Sequence, residues 1–226
     1  LDSTRLLLEQ ARKNGNRPRV VFTSTVAVFG GDMPPKVLDS TPATPQGSYG
    51  SQKAMCELMV ADHTRKGFID GRSLRLPTIS VRPGKANKAA SSFASGIIRE
   101  PLNGVVSECP VPPDTKVWVL SPRCTIKNLV HAHELDAAGF ARKGAVNLPG
   151  LTTTVGDMVA AMGRVAGEDK MKLVHWKEDE AVMKLVRTWP GDFVTERADA
   201  MGFVHDASFD DVVQAYIEEE LGGKVG

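Results

Sequence analysis

Hydrophobic positions along the chain follow two periods in turn, and this alternation predicts strands followed by helices. Residues 20–22, Val-Val-Phe, form a short apolar run typical of a strand buried on both faces. Residues 72–81, 116–120 and 145–148 predict further strands. Strands that alternate with helices predict an α/β protein whose parallel sheet is covered on both sides.

Apolar residues at helical spacing predict six helices, at about residues 2–14, 49–65, 91–99, 125–141, 154–166 and 208–221. In the last of these, Ser208 and Asp211 form a capping pair, and the inward face comprises Phe209, Val212, Val213, Tyr216 and Ile217. The helix at 125–141 has Ile126, Leu129, Val130, His133 and Ala137 on one apolar face. The Gly- and Pro-rich loop at 30–48 is too long for a plain connection, which indicates a functional loop.

Charge and cysteine content exclude several classes of function. Lys plus Arg nearly cancels Asp plus Glu, so the net charge is +1, which gives no field to hold nucleic acid or an anionic membrane surface. No apolar run approaches the roughly 20 residues of a membrane-spanning helix. The three cysteines show neither disulfide nor metal spacing, and reduced thiols are typical of a cytoplasmic protein. Neither a nucleic acid nor a membrane is therefore predicted as a partner.

One group of residues predicts catalytic chemistry. The strand at 20–22 leads into Thr23, Ser24 and Thr25, so hydroxyls lie at the carboxyl end of a strand, where open α/β sheets bind ligands. Tyr49 and Lys53 are four residues apart and share one face of the following helix. A free tyrosine hydroxyl has a pKa of about 10, and a neighbouring lysine cation favours the phenolate. Tyr49 then serves as a base that takes the proton of a substrate hydroxyl, while a nearby hydroxyl holds the substrate oxygen. A hydride must leave the same carbon, and this requires a nicotinamide cofactor.

Other interpretations of these residues remain open at this stage. Tyr49 and Lys53 would also suit the surface of an amphipathic helix, where such pairs are common. His131 and His133 suggest a metal site, but residues two apart on a helix point in different directions, and His133 fits a buried core position better. No metal is therefore predicted. The sequence contains neither a Gly-x-Gly-x-x-Gly nor a Walker phosphate loop.

Two segments resemble a known family. Residues 20–30, VVFTSTVAVFG, and 49–53, YGSQK, are similar to the extended short-chain dehydrogenase/reductase family, the NAD-dependent epimerase/dehydratase group. The resemblance implies that Thr25, Tyr49 and Lys53 are catalytic and that NAD is the cofactor, with NADP as the alternative. It also implies a Rossmann-like, doubly wound parallel sheet with a small α/β substrate-binding lobe.

The same resemblance implies where the cofactor binds and what the chain lacks. Ser24, Tyr49 and Lys53 would contact the cofactor, together with Pro83 and Gly84. The family's glycine-rich dinucleotide loop and first strands are missing from this chain, and we expect them in about a hundred residues before residue 1. Residues 1–82 and 116–150 then form part of the NAD-binding domain, and residues 83–115 and 151–226 form the substrate-binding lobe.

The segments at 82–88, 91–95 and 121–123 look like the branch of this family that oxidises the four-carbon sugar acid D-erythronate at its 2-hydroxyl. Cations suit the substrate carboxylate, an arginine by a bidentate fork. The predicted substrate-binding residues are Thr25, Asn87, Lys88, Ser91, Ser92 and Arg123. The alternatives are a nucleotide-sugar epimerase or dehydratase with the same chemistry, and a non-catalytic NAD(P)-binding relative. The resemblance also raises the expectation of a homodimer formed through the helix that carries Tyr49.

Overall fold

The computed structural model describes residues 1–85, 89–140 and 144–226. Within these residues the helices are α1 (Asp2–Asn14), α2 (Ser48–Arg65), α3 (Phe93–Leu102), α4 (Pro122–Glu134), α5 (Val155–Ala166), α6 (Glu180–Val186), α7 (Glu196–Ala200) and α8 (Phe209–Glu220). The strands are β1 (Arg19–Thr25), β2 (Asp70–Leu76), β3 (Thr78–Ile79), β4 (Ser107–Cys109), β5 (Lys116–Leu120), β6 (Val146–Asn147), β7 (Leu151–Thr154) and β8 (Val174–Trp176). The α/β class with parallel sheets is confirmed.

The chain divides into two compact units. Unit 1 comprises residues 1–77, 126–149 and 194–204, and unit 2 comprises residues 78–125, 150–193 and 205–226. The assignment of chain segments to a cofactor domain and a substrate lobe stays a prediction.

Unit 1 is built on a three-stranded parallel sheet with the order β1-β2-β6. Helix α2 packs against β1 and β2, and Leu8 of α1 shares a small core with Val60 of α2 and with Ile69. The expectation that residues 20–22 are buried on both faces is wrong, since all three are only half-buried. Strand β1 pairs with β2 alone among the described strands, so one of its edges carries no partner there.

The single strand predicted at residues 72–81 is two strands in two different sheets. Strand β2 ends at Leu76 and pairs with β1 and β6, whereas β3 begins at Thr78 and pairs with β5. Pro77 lies between them, and proline has no N–H to donate to a ladder. Apolar residues alternate with polar ones on both sides of Pro77, so the segment resembles a single strand although Pro77 interrupts it.

Unit 2 contains the larger hydrophobic core. Its sheet has the order β3-β5-β7, with β3 parallel and β7 antiparallel to β5, and β4 pairs with β8 separately. Helices α3, α5 and α8 contribute most of the core side chains. The five predicted inward residues of α8 are all buried, and Ser208 accepts a hydrogen bond from the Asp211 backbone N–H at 3.2 Å, so both predictions for this helix are confirmed.

Helix α4 differs from its prediction in length and in orientation. It ends at Glu134, and a short 3₁₀ turn at Ala137–Gly139 replaces its predicted last turn. Ile126 and Val130, predicted to face inward, are 60% and 58% exposed. His133 is also exposed and pairs with Glu134 at 2.7 Å, so its predicted core position is wrong.

The buried face of α4 is polar instead. The side-chain amide of Asn128 donates to the Val204 carbonyl at 2.7 Å and accepts from the Val204 N–H at 3.0 Å. This pair of hydrogen bonds satisfies a buried amide, which makes the burial of Asn128 compatible with a stable fold. None of the helices in the described ranges is both long and apolar enough to cross a membrane.

Candidate active site

The ammonium group of Lys53 is fixed at the carboxyl end of β1. Its Nζ atom donates a hydrogen bond to the Thr23 carbonyl oxygen at 2.7 Å. The same atom lies 4.9 Å from the ring centroid of Phe22 and 5.9 Å from that of Tyr49, so it also makes cation–π contacts. Tyr49 and Lys53 therefore share one face of α2, beside the strand end that the sequence predicts as the ligand site.

Thr25 is the last residue of β1 and caps the 3₁₀ turn that follows at Val26–Val28. Its Oγ1 atom accepts a hydrogen bond from the Ala27 backbone N–H at 3.1 Å. This contact fixes the direction of the side chain while using only a lone pair, so the hydroxyl hydrogen can still be donated to a ligand oxygen. Thr25 is half-buried, whereas Tyr49 is 61% exposed.

A glycine allows the helix to approach the strand end closely. A Cβ atom at Gly50 would lie 2.0 Å from the Ala27 carbonyl oxygen and 3.1 Å from Pro45 Cβ. No larger residue fits there, because real Cβ atoms do not approach other heavy atoms within 3.0 Å. Gly50 thus sets the spacing between the first turn of α2, which carries Tyr49, and the turn capped by Thr25. Gly50 was not predicted from the sequence, although a glycine between the tyrosine and the lysine of a predicted helix is a visible signal.

The Ser24 side chain is buried within the protein. Its hydroxyl donates to the Glu57 carboxylate at 2.5 Å, and both residues are buried. Arg75 of β2 donates to the same carboxylate at 2.8–3.2 Å. The contact of Ser24 with a cofactor stays a prediction. Glu57 and Arg75 were not singled out in the sequence.

The Pro83–Gly84 segment belongs to unit 2 and follows a backbone held by α3. The Arg82 N–H donates to Ser95 Oγ at 3.1 Å, and the Arg99 guanidinium donates to the Arg82 carbonyl at 2.9 Å. Gly84 has φ +86°, a conformation that favours glycine. The cofactor contact of these two residues stays a prediction.

The predicted substrate-binding residues of unit 2 have different surroundings. Asn87 and Lys88 lie outside the described residues. Ser91 and Ser92 form the 3₁₀ turn that precedes α3, where Ser91 is half-buried and Ser92 is buried.

Arg123 lies in the first turn of α4 and pairs with two carboxylates of α8. Its guanidinium donates to Glu218 at 2.8 Å and to Glu219 at 2.7 Å. These hydrogen bonds raise the pKa of Arg123 and lower that of Glu218. These bonds use two of the five N–H donors of Arg123, and the two carboxylates compete with a substrate carboxylate for its charge.

Comparisons with known proteins give the chain its relatives. A family model described as NAD dependent epimerase/dehydratase family matches residues 1–119. The D-erythronate dehydrogenase of Cupriavidus necator is 54% identical over 219 residues, which cover 97% of this chain and 68% of that protein. The D-erythronate dehydrogenase of Haemophilus influenzae is 44% identical and covers 97% of this chain and 70% of its own length.

Among solved structures, the crystal structure of the nucleoside-diphosphate-sugar epimerase from Agrobacterium tumefaciens is 43% identical. It superposes with a TM-score of 0.94 over 100% of this chain and 67% of that chain. The chain thus spans about two thirds of the length of these relatives. The likeness confirms the Rossmann-like fold that the sequence predicts.

Proposed function

Because the chain belongs to the NAD-dependent epimerase/dehydratase family, we propose that it oxidises the 2-hydroxyl of a short sugar acid such as D-erythronate, with NAD as the cofactor. Membership of the family and identity to named dehydrogenases make the protein an oxidoreductase that acts on a small molecule. The observation that carries the chemistry is the hydrogen bond from Lys53 to the Thr23 carbonyl, because it places the Tyr49–Lys53 face of α2 against the end of β1. The choice of substrate is supported by the two D-erythronate dehydrogenases.

The residues of unit 1 fit the nicotinamide riboside end of NAD. A lysine ammonium has three N–H donors, and Lys53 uses one of them on the Thr23 carbonyl. The remaining donors suit ribose hydroxyls, which are neutral acceptors beside the phenol of Tyr49. When bound, NAD accepts the hydride that leaves C2 of the substrate.

In this proposal each of three side chains has a separate task. Thr25 donates its hydroxyl hydrogen to the substrate oxygen and so orients the 2-hydroxyl group. Tyr49 removes the proton from that hydroxyl as a general base, which leaves the C2 hydrogen to depart as hydride and forms the 2-keto acid. Lys53 keeps its positive charge beside the Tyr49 ring and holds the ribose.

A nucleotide-sugar epimerase is the second candidate, since the Agrobacterium tumefaciens structure carries that name. The same Thr25, Tyr49 and Lys53 would serve it, so the site alone does not separate the two reactions. A non-catalytic relative is less well supported, because the three side chains of the catalytic pattern are all present.

Substrate profiling separates these candidates. The full-length protein is incubated with D-erythronate, related sugar acids, and UDP- and GDP-sugars, each with NAD or NADP, and NAD(P)H absorbance is followed. Nucleotide-sugar products are analysed by chromatography in parallel, because an epimerase produces no net NADH. We expect D-erythronate with NAD to give the highest kcat/KM. Turnover of a nucleotide sugar with no oxidation of any sugar acid would assign the protein to the second candidate.

We also propose that the protein works in the cytoplasm. A separate proposal is that two copies associate through α2. Met55 and Leu58 of α2 are 49% and 72% exposed, an apolar surface that a second copy would cover. Light scattering after size-exclusion chromatography should give the mass of a dimer. Charged substitutions at Met55 and Leu58 should then give the mass of a monomer, and a wild-type monomer would remove the proposal.

A further inference from the structure

A buried polar cluster in unit 1 joins α2 to the strand that ends at Thr25. The cluster comprises Ser24 of β1, Glu57 of α2, Arg75 of β2 and Asn147 of β6. Ser24 donates to Glu57 at 2.5 Å, Arg75 donates to both oxygens of Glu57 at 2.8–3.2 Å, and Arg75 lies 3.4 Å from the side-chain oxygen of Asn147. Glu57 is 8% exposed, so its charge is neutralised within the protein instead of by water.

The carboxylate lies on the same helix face as the proposed catalytic residues. Tyr49, Lys53 and Glu57 follow one another at intervals of four residues, which brings them to one side of α2. Lys53 is bonded to the carbonyl of Thr23, and Glu57 is bonded to the hydroxyl of the next residue, Ser24. Two consecutive turns of α2 are therefore bound to two consecutive residues of β1, directly before Thr25.

Arg75 holds the other side of the same strand end. Its guanidinium carbon lies 4.9 Å from the ring centroid of Phe29, the residue that ends the 3₁₀ turn capped by Thr25. Arg75 thus contacts Glu57 on the helix and Phe29 beyond the turn. The segment from Ser24 to Phe29, with Thr25 inside it, is held at both ends.

A buried ion pair is a poor device for stability alone. Desolvation of the two charges offsets much of their attraction, and apolar side chains of similar volume often stabilise a core equally well. What an ion pair with a hydroxyl partner does supply is a fixed geometry, because a carboxylate accepts hydrogen bonds only along defined directions.

We propose that Glu57 and Arg75 are positioning residues that hold the helix face of Tyr49 and Lys53 at a fixed separation from Thr25. They act through Ser24 and Phe29 and do not touch the substrate. This inference rests on the proposed dehydrogenase function, and it adds two residues to the proposed set of Thr25, Tyr49 and Lys53. Loss of the cluster then misplaces the base relative to the hydroxyl that orients the substrate, which lowers kcat more than it raises KM.

The test compares variants of the cluster with a control ion pair in the same unit. Glu57→Gln, Ser24→Ala and the double variant are assayed for kcat, KM and thermal unfolding. The control is Asp70→Asn, because Asp70 pairs with the buried Arg72 at 2.8 Å but makes no contact with this cluster among the described residues. A fall in melting temperature without a fall in kcat is expected for the control.

For each single cluster variant we expect kcat to fall roughly 10- to 100-fold with KM changed less than about threefold. The double variant should have about the kcat of the less active single variant, because both substitutions weaken the same cluster around Glu57. Glu57→Asp, which keeps the charge but shortens the side chain, should recover part of kcat. Cluster variants that lose melting temperature like Asp70→Asn and keep wild-type kcat would overturn the proposal.

A second measurement does not depend on any substrate. The Ala27 N–H donates to Thr25 Oγ1, so its hydrogen exchange reports whether the turn at Thr25 is held in place. Exchange at Ala27 should accelerate in Glu57→Gln and Ser24→Ala but not in Asp70→Asn. If no sugar acid is oxidised by the wild type, the proposed function fails while this exchange still tests the positioning role. Unchanged exchange at Ala27 in both cluster variants would refute that role.

Discussion

Replacing Gly50 by alanine tests how closely α2 must approach the end of β1. The new Cβ atom would lie 2.0 Å from the Ala27 carbonyl oxygen, and contacts under 3.0 Å do not occur, so the helix turn or the loop must move by at least 1.0 Å. In a helix, alanine in place of glycine normally stabilises by about 0.5–1 kcal/mol. Overpacking of this kind costs about 1–3 kcal/mol, so the net effect should be destabilising.

The effect on turnover should exceed the effect on stability. A displacement of about 1 Å between catalytic groups can reduce the rate about 100-fold, and Tyr49 is the residue directly before Gly50. We therefore expect Gly50→Ala to lower kcat for D-erythronate by about that factor while the protein stays folded at 25 °C. NADH absorbance measures the rate, and circular dichroism measures thermal unfolding.

Gly47 is the matched control for this substitution. It precedes α2 in extended backbone, and a Cβ atom there meets no heavy atom within 4 Å. Gly47→Ala should keep both kcat and melting temperature close to wild type. Wild-type turnover in Gly50→Ala would refute the claim that this close approach sets the catalytic geometry, and equal losses in both variants would refute the steric explanation.

Five further outcomes are expected. Tyr49→Phe should lower kcat about 10²- to 10⁴-fold with an unchanged circular dichroism spectrum, and Lys53→Met should lower kcat comparably and raise the KM for NAD. If Arg123 binds the substrate carboxylate, Arg123→Ala should raise the KM for the sugar acid strongly in steady-state kinetics. An unchanged KM would rule out Arg123 as the carboxylate ligand without changing the proposed substrate class. Burial alone would raise the pKa of Asp70, but its hydrogen bonds with arginines lower this pKa below 3.8. The stability that the Asp70 carboxylate contributes should therefore be fully present above about pH 4 and be lost as the pH falls further. Urea titrations of wild type and Asp70→Asn should show a difference in unfolding free energy that narrows below that pH. Burial raises the pKa of Cys109 to about 11, so iodoacetamide at pH 8 should modify this thiol only after unfolding, as mass spectrometry of native and denatured samples would show.

Local sequence signals predicted a helix well where its capping residue and its apolar stripe indicated the same bounds. Helix α8 has both a serine cap and a regular stripe of apolar residues; its buried face is as predicted, and each end lies within one residue of its predicted position. The position of Tyr49 and Lys53 on α2 was predictable for the same reason, since helical spacing alone puts them on one face. These features depend only on residues close to one another in sequence.

Features that depend on distant partners were not predictable from the pattern. Asn128 is buried in α4 because its amide bonds to Val204, which lies 76 residues away, and this contact turns the apolar Ile126 and Val130 towards the surface. The burial of Glu57 was equally unpredictable, because it depends on Arg75, a partner in strand β2. A charged residue inside a helix pattern normally indicates a solvated position. Hydropathy therefore predicts the wrong environment wherever a polar side chain finds a specific partner inside the protein.

Transfer of deuterium from the substrate tests the central claim most directly. D-Erythronate carrying deuterium at C2 is oxidised by the full-length protein with NAD, and the reduced cofactor is analysed by mass spectrometry. If the 2-hydroxyl is oxidised with Tyr49 as the base, the deuterium leaves C2 as hydride and is found in the reduced cofactor, and Tyr49→Phe slows its appearance. Reduced cofactor without the label, or label that stays in the sugar acid product, would contradict the account.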